Sequence, residues 1–401
     1  MAVYLISSDL YTIRINRKLS QNQTYNLPTV TIIVPAHNEE FVITRTLQSI
    51  YNSNYPADKL DVIIVNDGST DNTKVVVEQF QSNHKDRFQL RIINRPNQGK
   101  AGSLNYALRK YATGSLIMCL DADSSLEVGS LKKAVQYFKD RQVVALSSNV
   151  NIIEDGSLMS LVQRFEYIVC YQMKKGQAYW GTEYIIGGIG SMFRRSMLSK
   201  VSYYDTNTIT EDIDLTLKIL INKTKHQTIA YAADSITHTE AAHSLSALMR
   251  QRFRWKYGRT QTFFKNKKYF FSGNNKHAKR LTWFMLPYSI FQDLMFLFEP
   301  FVIGWFIYLT FAYGDIRTVV SSLVVMSIFL LFNIWGTLHI AAKSKLRLSL
   351  MVPVMYILMF ILTFAEYYAL IKSLIMLPKI KKTIQGSHLT WKSPERKQAS
   401  V

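Results

Sequence analysis

Asp121 and Asp123 follow directly on the apolar run 116–120, so a strand there sets two carboxylates at its exposed end. Like charges this close repel unless a cation joins them. A hard ion such as Mg2+ or Mn2+ takes one or two carboxylates and fills its other positions with phosphate oxygens and water, so the pair suits a metal bridge to a diphosphate. An isolated Asp-x-Asp is otherwise an ordinary solvated turn, and what singles this one out is its company. Asp67, in Asn66-Asp67-Gly68-Ser69, follows the run 60–65. It suits either a simple turn or acceptance of a uracil imide proton or a ribose hydroxyl. Pro35, His37 and Glu39 stand in the same way at the end of the run 30–34. Lys100 opens a helical pattern in Gln98-Gly99-Lys100-Ala101-Gly102, where the helix dipole already favours anions. Its charge suits a diphosphate, although alone it reads as an exposed helix-start lysine.

Thr210-Glu211-Asp212 opens a second helical pattern. Thr210 reads as a cap and the two acids as dipole partners. Alternatively, Asp212 removes a proton from an acceptor hydroxyl that attacks an anomeric carbon while a metal-bound diphosphate leaves. Gln251, Arg254 and Trp255 share one side of a predicted helix over 243–262, and Met249, Phe253 and Tyr257 line another. An amide, a guanidinium for phosphate and an indole face for a sugar ring suit such a site, and each also suits plain helix packing.

The elements that must position these residues alternate along the chain. Short β-rich runs at 30–34, 60–65, 90–93, 116–120 and 143–149 are separated by helical patterns at 39–51, 71–81, 100–111 and 130–139. This predicts an α/β fold whose mainly parallel sheet carries helices on both faces, with ligands at the carboxyl ends of the strands. Further on, 164–171 reads as a helix, Gly187, Gly188 and Gly190 as a tight loop, and 210–220 as a helix. Only Cys119 and Cys170 are present, which suggests neither a disulfide framework nor a cysteine zinc site and fits a reduced compartment.

The 401-residue chain then changes character. Segments 283–312, 318–341 and 350–376 are apolar and long enough to span about 30 Å of hydrocarbon. The net charge of +20 gathers at their edges, through Lys265, Lys267, Lys268, Lys276, Lys279 and Arg280 before them and Lys379, Lys381 and Lys382 after. That placement suits anionic lipid headgroups on the cytoplasmic side rather than nucleic acid. Lys343, Lys345 and Arg347 also ask for the cytoplasm, yet a single segment separates them from the basic tail. One segment is therefore expected not to cross, and the first, interrupted by Asp293, Glu299 and Pro300, is the expected exception. Residues 1–10 carry no basic leader region, and no N-terminal span is expected.

In order, Pro35 to Glu39, Asn66-Asp67-Gly68-Ser69, Gly99-Lys100-Ala101-Gly102, Asp121-Ala122-Asp123, Gly187 to Arg194, Thr210-Glu211-Asp212 and Gln251 to Trp255 resemble the family 2 inverting glycosyltransferases. The resemblance covers about residues 28–265 and is strongest to the processive membrane synthases of poly-N-acetylglucosamine, hyaluronan, chitin and cellulose, the first above all. It implies a GT-A fold, a UDP-sugar donor, Mg2+ or Mn2+ at Asp123, and donor contacts from Pro35, His37, Glu39, Asp67, Lys100 and Asp121. It also implies Asp212 as catalytic base, with Glu211, Gln251, Arg254 and Trp255 at the diphosphate and the acceptor. Two departures stand out: His37 lies where the family often has Tyr, and the family's common N-terminal membrane helices are missing. A translocation channel would then come from the C-terminal segments alone or with a membrane partner subunit.

The expected division is an N-terminal arm (1–27), a GT-A domain (28–242), an amphipathic interface helix and basic linker (243–280), a transmembrane region (281–376) and a basic tail (377–401). The expected protein is a multi-pass plasma-membrane enzyme with a cytoplasmic catalytic domain. It extends a polysaccharide with a sugar, N-acetylglucosamine by resemblance. The alternatives are a non-processive enzyme that adds one sugar to a lipid or lipid-linked acceptor, and a catalytically silent membrane subunit. Intact Asp121, Asp123 and Asp212 argue against the last.

Overall fold

The computed structural model describes residues 2–19, 26–84, 89–183, 185–274, 279–314 and 316–384. Lys276 and the tail beyond residue 384 lie outside the described residues. The segment expected as an arm contains α1 (Ala2–Leu19). Ser7 and Ser8, which interrupt its apolar run in sequence, face inward, while Val3, Ile6, Leu10 and Ile13 are exposed. The helix is tied down by polar contacts: Ser8 Oγ donates to Gln172 Oε1, and Tyr11 Oη donates to the Tyr231 carbonyl at 2.6 Å.

β1 (Val30–Ala36), α2 (Ile43–Tyr51), β2 (Leu60–Asp67), α3 (Thr73–Asn83), β3 (Gln89–Arg95), α4 (Gly99–Lys110) and β4 (Leu116–Cys119) follow the expected alternation. β1 runs parallel to both β2 and β4, with Ile33 opposite Ile63 on one side and Cys119 on the other. Alternate side chains point to opposite faces of a strand, so Ile32 and Val34 pack beneath Leu47 of α2 while Ile33 packs with Leu104 of α4. Because both faces are covered, the strands read as continuous apolar runs. Each fully buried Ile or Leu contributes roughly 1.5–3 kcal/mol.

The second half comprises β5 (Ser125–Leu126), α5 (Ser130–Tyr137), β6 (Val143–Ile152), α6 (Leu158–Trp180), β7 (Ser191–Arg194), α7 (Arg195–Lys200), α8 (Glu211–Asn222), β8 (Thr228–Thr239) and α9 (Leu245–Lys265). The eight strands are ordered β3-β2-β1-β4-β7-β6-β8-β5. β7 is antiparallel to β4 and β6, and β5 to β8, while β6 and β8 pair in parallel. The sheet is thus mainly parallel, as expected, with two reversed strands that the sequence pattern does not reveal. β8 is hidden because polar residues interrupt it. Ser235 is buried there by donating to the Ser130 carbonyl at 3.0 Å.

α6 is far longer than the expected 164–171. Ser157 Oγ caps it by accepting from the Ser160 amide at 3.0 Å, and Gly181 closes it in the left-handed conformation at φ 62°.

A π-helical turn, Arg280–Met285, leads into α10 (Leu286–Tyr313), followed by α11 (Ile316–Trp335), α12 (Ala342–Ile375) and α13 (Leu377–Ile384). Among the described residues three helices, Arg280–Tyr313, Ile316–Trp335 and Ala342–Ile375, are long and apolar enough to cross a membrane. Val162 and Phe165 of α6 and Leu248 of α9 join Leu330, Leu348 and Val352 in one apolar cluster that ties these helices to the sheet domain. The first apolar segment is not broken at the residues that interrupt it in sequence. α10 continues as one helix through Pro300, and Asp293 pairs with Lys256 at 3.0 Å and with Arg259, both from α9. Asp293 is therefore a tether to α9 rather than the sign of a broken segment.

Candidate active site

Lys100, in the first turn of α4, reaches across the carboxyl edge of the sheet. Its Nζ lies 2.5 Å from Asp121 Oδ1, beyond β4, and 3.4 Å from Glu211 Oε1, at the start of α8. Three elements distant in sequence thus meet at one ammonium. Asp212 adjoins them, with Oδ2 accepting from the Gly188 amide at 3.1 Å and Oδ1 from the Ile213 amide at 2.9 Å. The Gly188 loop approaches this cluster closely. A Cβ there would stand 3.1 Å from Lys100 Nζ and 3.8 Å from Asp212 Oδ2.

Burial raises the Asp212 pKa, and the neighbouring Glu211 raises it further. Lys100, the Ile213 amide and Arg254 of α9 pull the other way, and the balance leaves it at about 6. Asp123 lies at the same edge, where Ser124 Oγ donates to its Oδ1 at 3.1 Å and Arg45 Nη2 holds its carbonyl at 2.9 Å. Burial pushes the phenol of Tyr167, on α6, up, and Arg252, Glu166 and Asp123 act on it through their charges.

Beside this cluster, the ends of β1 and β2 form a second patch. His37 Nδ1 lies 2.9 Å from the Asp67 carbonyl, and Asp67 Oδ1 accepts from the Gln98 amide at 3.0 Å with Arg95 Nε at 3.8 Å. Glu39 is buried, and its backbone amide donates to Thr73 Oγ1 at 2.8 Å. Pro35 lies inside β1, opposite Val65, rather than beyond the strand end.

α9 is held against this edge. Gln261 Nε2 donates to the Asn207 carbonyl, and Gln261 Oε1 accepts from the Ile209 amide, each at 3.1 Å. Thr210 does not cap α8 with its side chain and instead packs into Gly258 of α9. A Cβ at Gly258 would fall 2.4–2.9 Å from three Thr210 side-chain atoms. Gly258→Ala is therefore expected to push α9 away from α8 and cut the initial rate about tenfold, as overpacking costs of roughly 1–3 kcal/mol imply. Adding Thr210→Ala should recover part of that loss, and an unchanged single variant would count against a rate-setting contact.

Residues 31–202 match the model of the Glycosyl transferase family 2. That stretch of the chain is a family 2 glycosyltransferase domain. A poly-beta-1,6-N-acetyl-D-glucosamine synthase of Staphylococcus epidermidis is 26% identical over 415 residues, covering 99% of this chain and 96% of the relative. The synthase of the same name from Staphylococcus aureus (strain COL) is 27% identical over 417 residues, with 99% and 96% covered. Among solved structures, the mannosyltransferase PcManGT from Pyrobaculum calidifontis, in complex with GDP-Man and Mn2+, superposes with a TM-score of 0.57 at 22% identity. It covers 88% of this chain and 96% of its own. The sheet and its flanking helices are thus of the GT-A type, followed by three apolar helices able to span a membrane.

Within this glycosyltransferase, Lys100, Asp121, Glu211 and Asp212 form one cluster, and Arg254 acts on Asp212 through its charge. Gln251 Oε1 is buried with no hydrogen-bond partner among the described residues. Trp255 is met by Arg252, whose guanidinium carbon lies 4.4 Å from the indole centroid. Arg252 escaped the sequence reading. It is held by Glu166 at 2.7 Å and by Glu366 of α12 at 3.4 Å, so a carboxylate from a membrane-length helix backs the tryptophan. Its three-residue spacing from Trp255 was the available signal.

Proposed function

We propose that this glycosyltransferase takes N-acetylglucosamine from a UDP donor and adds it, with inversion, to a growing polysaccharide at a membrane surface. The observation that carries the proposal is the meeting of Asp121, Glu211 and Asp212 around the Lys100 ammonium. The names of the staphylococcal relatives support the sugar and the polymer.

Asp212 suits the role of base. Its carboxylate takes the proton of the acceptor hydroxyl as that oxygen bonds to the anomeric carbon, and the bond from that carbon to the diphosphate breaks, releasing UDP. Lys100 and Arg254 offer positive charge to the diphosphate, and the buried Gln251 Oε1 suits acceptance from a sugar hydroxyl. His37 and Asp67 suit a hold on the uridine, and Pro35 and Glu39 shape that end of β1. Trp255, fixed by Arg252, offers an indole face to the acceptor sugar.

No group of three or more His, Cys, Asp or Glu side chains poised for a metal occurs among the described residues. A cation here would have one or two carboxylates and leave most positions to phosphate and water, which fits Mg2+ or Mn2+. Asp123, with Asp121 beside it, would hold that ion, which when bound neutralises the leaving diphosphate. The Mn2+ in the related mannosyltransferase supports this assignment. The three apolar helices and the basic residues at their edges support a multi-pass protein of the plasma membrane with a cytoplasmic site.

Because the base must be ionised and its pKa stands at about 6, kcat/KM is expected to fall tenfold per pH unit below that value and to level off above it. A midpoint near about 4, the ordinary aspartate range, would remove Asp212 from this role.

The proposal is tested by incubating membranes that carry the protein with a panel of radiolabelled UDP-sugars and sizing what forms. Label from UDP-N-acetylglucosamine in long chains is expected. Label in a single-sugar lipid product would replace polymerisation with transfer to a lipid acceptor.

A further inference from the structure

Three membrane-length helices in series would leave the two ends of the last one on opposite sides of the bilayer. The contacts of α12 disagree with that arrangement. At its start, Ser344 Oγ accepts from Arg164 of α6 at 3.2 Å, and Arg347 lies 3.1 Å from Glu154. Toward its other end, Glu366 pairs with Arg252 at 3.4 Å and Lys256 at 3.5 Å, and Lys372 sits 4.7 Å over the Phe253 ring. Arg252, Phe253 and Lys256 belong to α9, the helix clamped to the catalytic domain through Gln261.

Ser344 and Glu366 are 22 residues apart, roughly 33 Å along a helix, which matches the thickness of the hydrocarbon core. A crossing α12 would carry Glu366 to the far face and drag α9 with it. α9 bears Arg250, Arg252, Arg254, Lys256 and Arg259, and a helix so charged does not enter hydrocarbon.

The burial of α12 follows the same geometry. Leu348, Val352, Met355, Leu362, Ala365 and Ala369 form one stripe buried against protein along its length. On the opposite side, Leu350 is 75% exposed, Ile357 66% and Phe364 56%. An uninterrupted apolar face opposite a protein-bound face is what a helix half-sunk in a bilayer surface presents.

We propose that α12 lies along the membrane surface beneath the catalytic domain, with its Leu350, Ile357 and Phe364 face in lipid and both ends on the catalytic side. α10 and α11 then form the only crossing pair among the described helices. Lys343, Lys345 and Arg347 come to the same side as Lys379, which resolves the conflict between the two basic clusters. The partner of this face is the boundary between headgroups and acyl chains, with anionic headgroups at the two basic ends. The proposal rests on the membrane assignment made above, and it places a lipid-bound helix directly behind Arg252 and Trp255.

The test uses the full chain with Cys170→Ala, leaving the buried Cys119, and single cysteines at Tyr313, Lys343 or Lys379. Intact cells are treated with a membrane-impermeant maleimide. Tyr313→Cys is expected to label from outside, whereas Lys343→Cys and Lys379→Cys label only after permeabilisation. Outside labelling of Lys379→Cys with Lys343→Cys protected would show α12 crossing and overturn the proposal. Failure of Tyr313→Cys to label from outside would instead overturn the crossing of α10 and α11, a separate fault. As a second readout, fluorophores at Leu350→Cys, Ile357→Cys and Phe364→Cys in lipid nanodiscs should be quenched to one shared depth by spin-labelled lipids. Depths that differ by about 20 Å from first to last would mean a spanning helix. Protection from both lipid and aqueous quenchers would mean that another protein covers the face, which also overturns the lipid assignment.

Discussion

Asp212→Asn is expected to lower sugar transfer by about 10²–10⁴-fold, a rise of roughly 3–5 kcal/mol in the barrier, with UDP affinity nearly unchanged. The substitution keeps the size of the side chain and removes its ability to take a proton. Asp212 accepts from two backbone amides, those of Gly188 and Ile213, so its geometry is set by the chain around it. Lys100 stays paired with Asp121 and Glu211, which leaves the charge beside the diphosphate in place. Initial rates and UDP titration of the purified variant separate the two effects. Retained turnover would assign the base elsewhere. Lost UDP affinity would make Asp212 a binding group.

Removal of divalent cations is expected to stop transfer almost completely, by roughly 10³-fold or more given the several kcal/mol a metal supplies to a departing charged group. Added Mg2+ or Mn2+ should restore the rate, and Asp123→Ala should resist that restoration. Lys100 and Arg254 provide two positive charges where a diphosphate and three carboxylates gather, so a further cation is needed for balance. Full activity in chelator would remove the metal role from Asp121 and Asp123. Rescue of Asp123→Ala by the same metal concentration as the parent would remove Asp123 alone.

Much of the sheet was legible because β1, β2 and β4 are buried on both faces and read as unbroken apolar runs ended by polar residues. β7 was not legible, since four residues in the order Ser-Met-Phe-Arg carry too little pattern to distinguish a strand from a loop. α1 was hidden for a different reason. Its buried face joins Ser7 and Ser8 to Tyr11 and Ile15 while Val3, Ile6, Leu10 and Ile13 are exposed, which blurs the usual amphipathic pattern. At the site, the sequence order of motifs selected Lys100, Asp121, Glu211 and Asp212, and the fold joins them. Spacing alone tied Arg252 only to Trp255, while its hold depends on Glu166 and Glu366, which lie 86 and 114 residues away. Gly258 was equally silent, since only the approach of Thr210 gives it meaning.

The most direct test of the central claim is a single assay on the purified chain in lipid nanodiscs with UDP-[14C]N-acetylglucosamine and Mg2+ or Mn2+. Released UDP and label in product are measured together, beside the Asp212→Asn variant. Convergence of the acidic groups on a departing diphosphate requires UDP and incorporated sugar to appear in equal amounts in the parent and neither in the variant. UDP release without incorporation, or equal incorporation by both proteins, would contradict it.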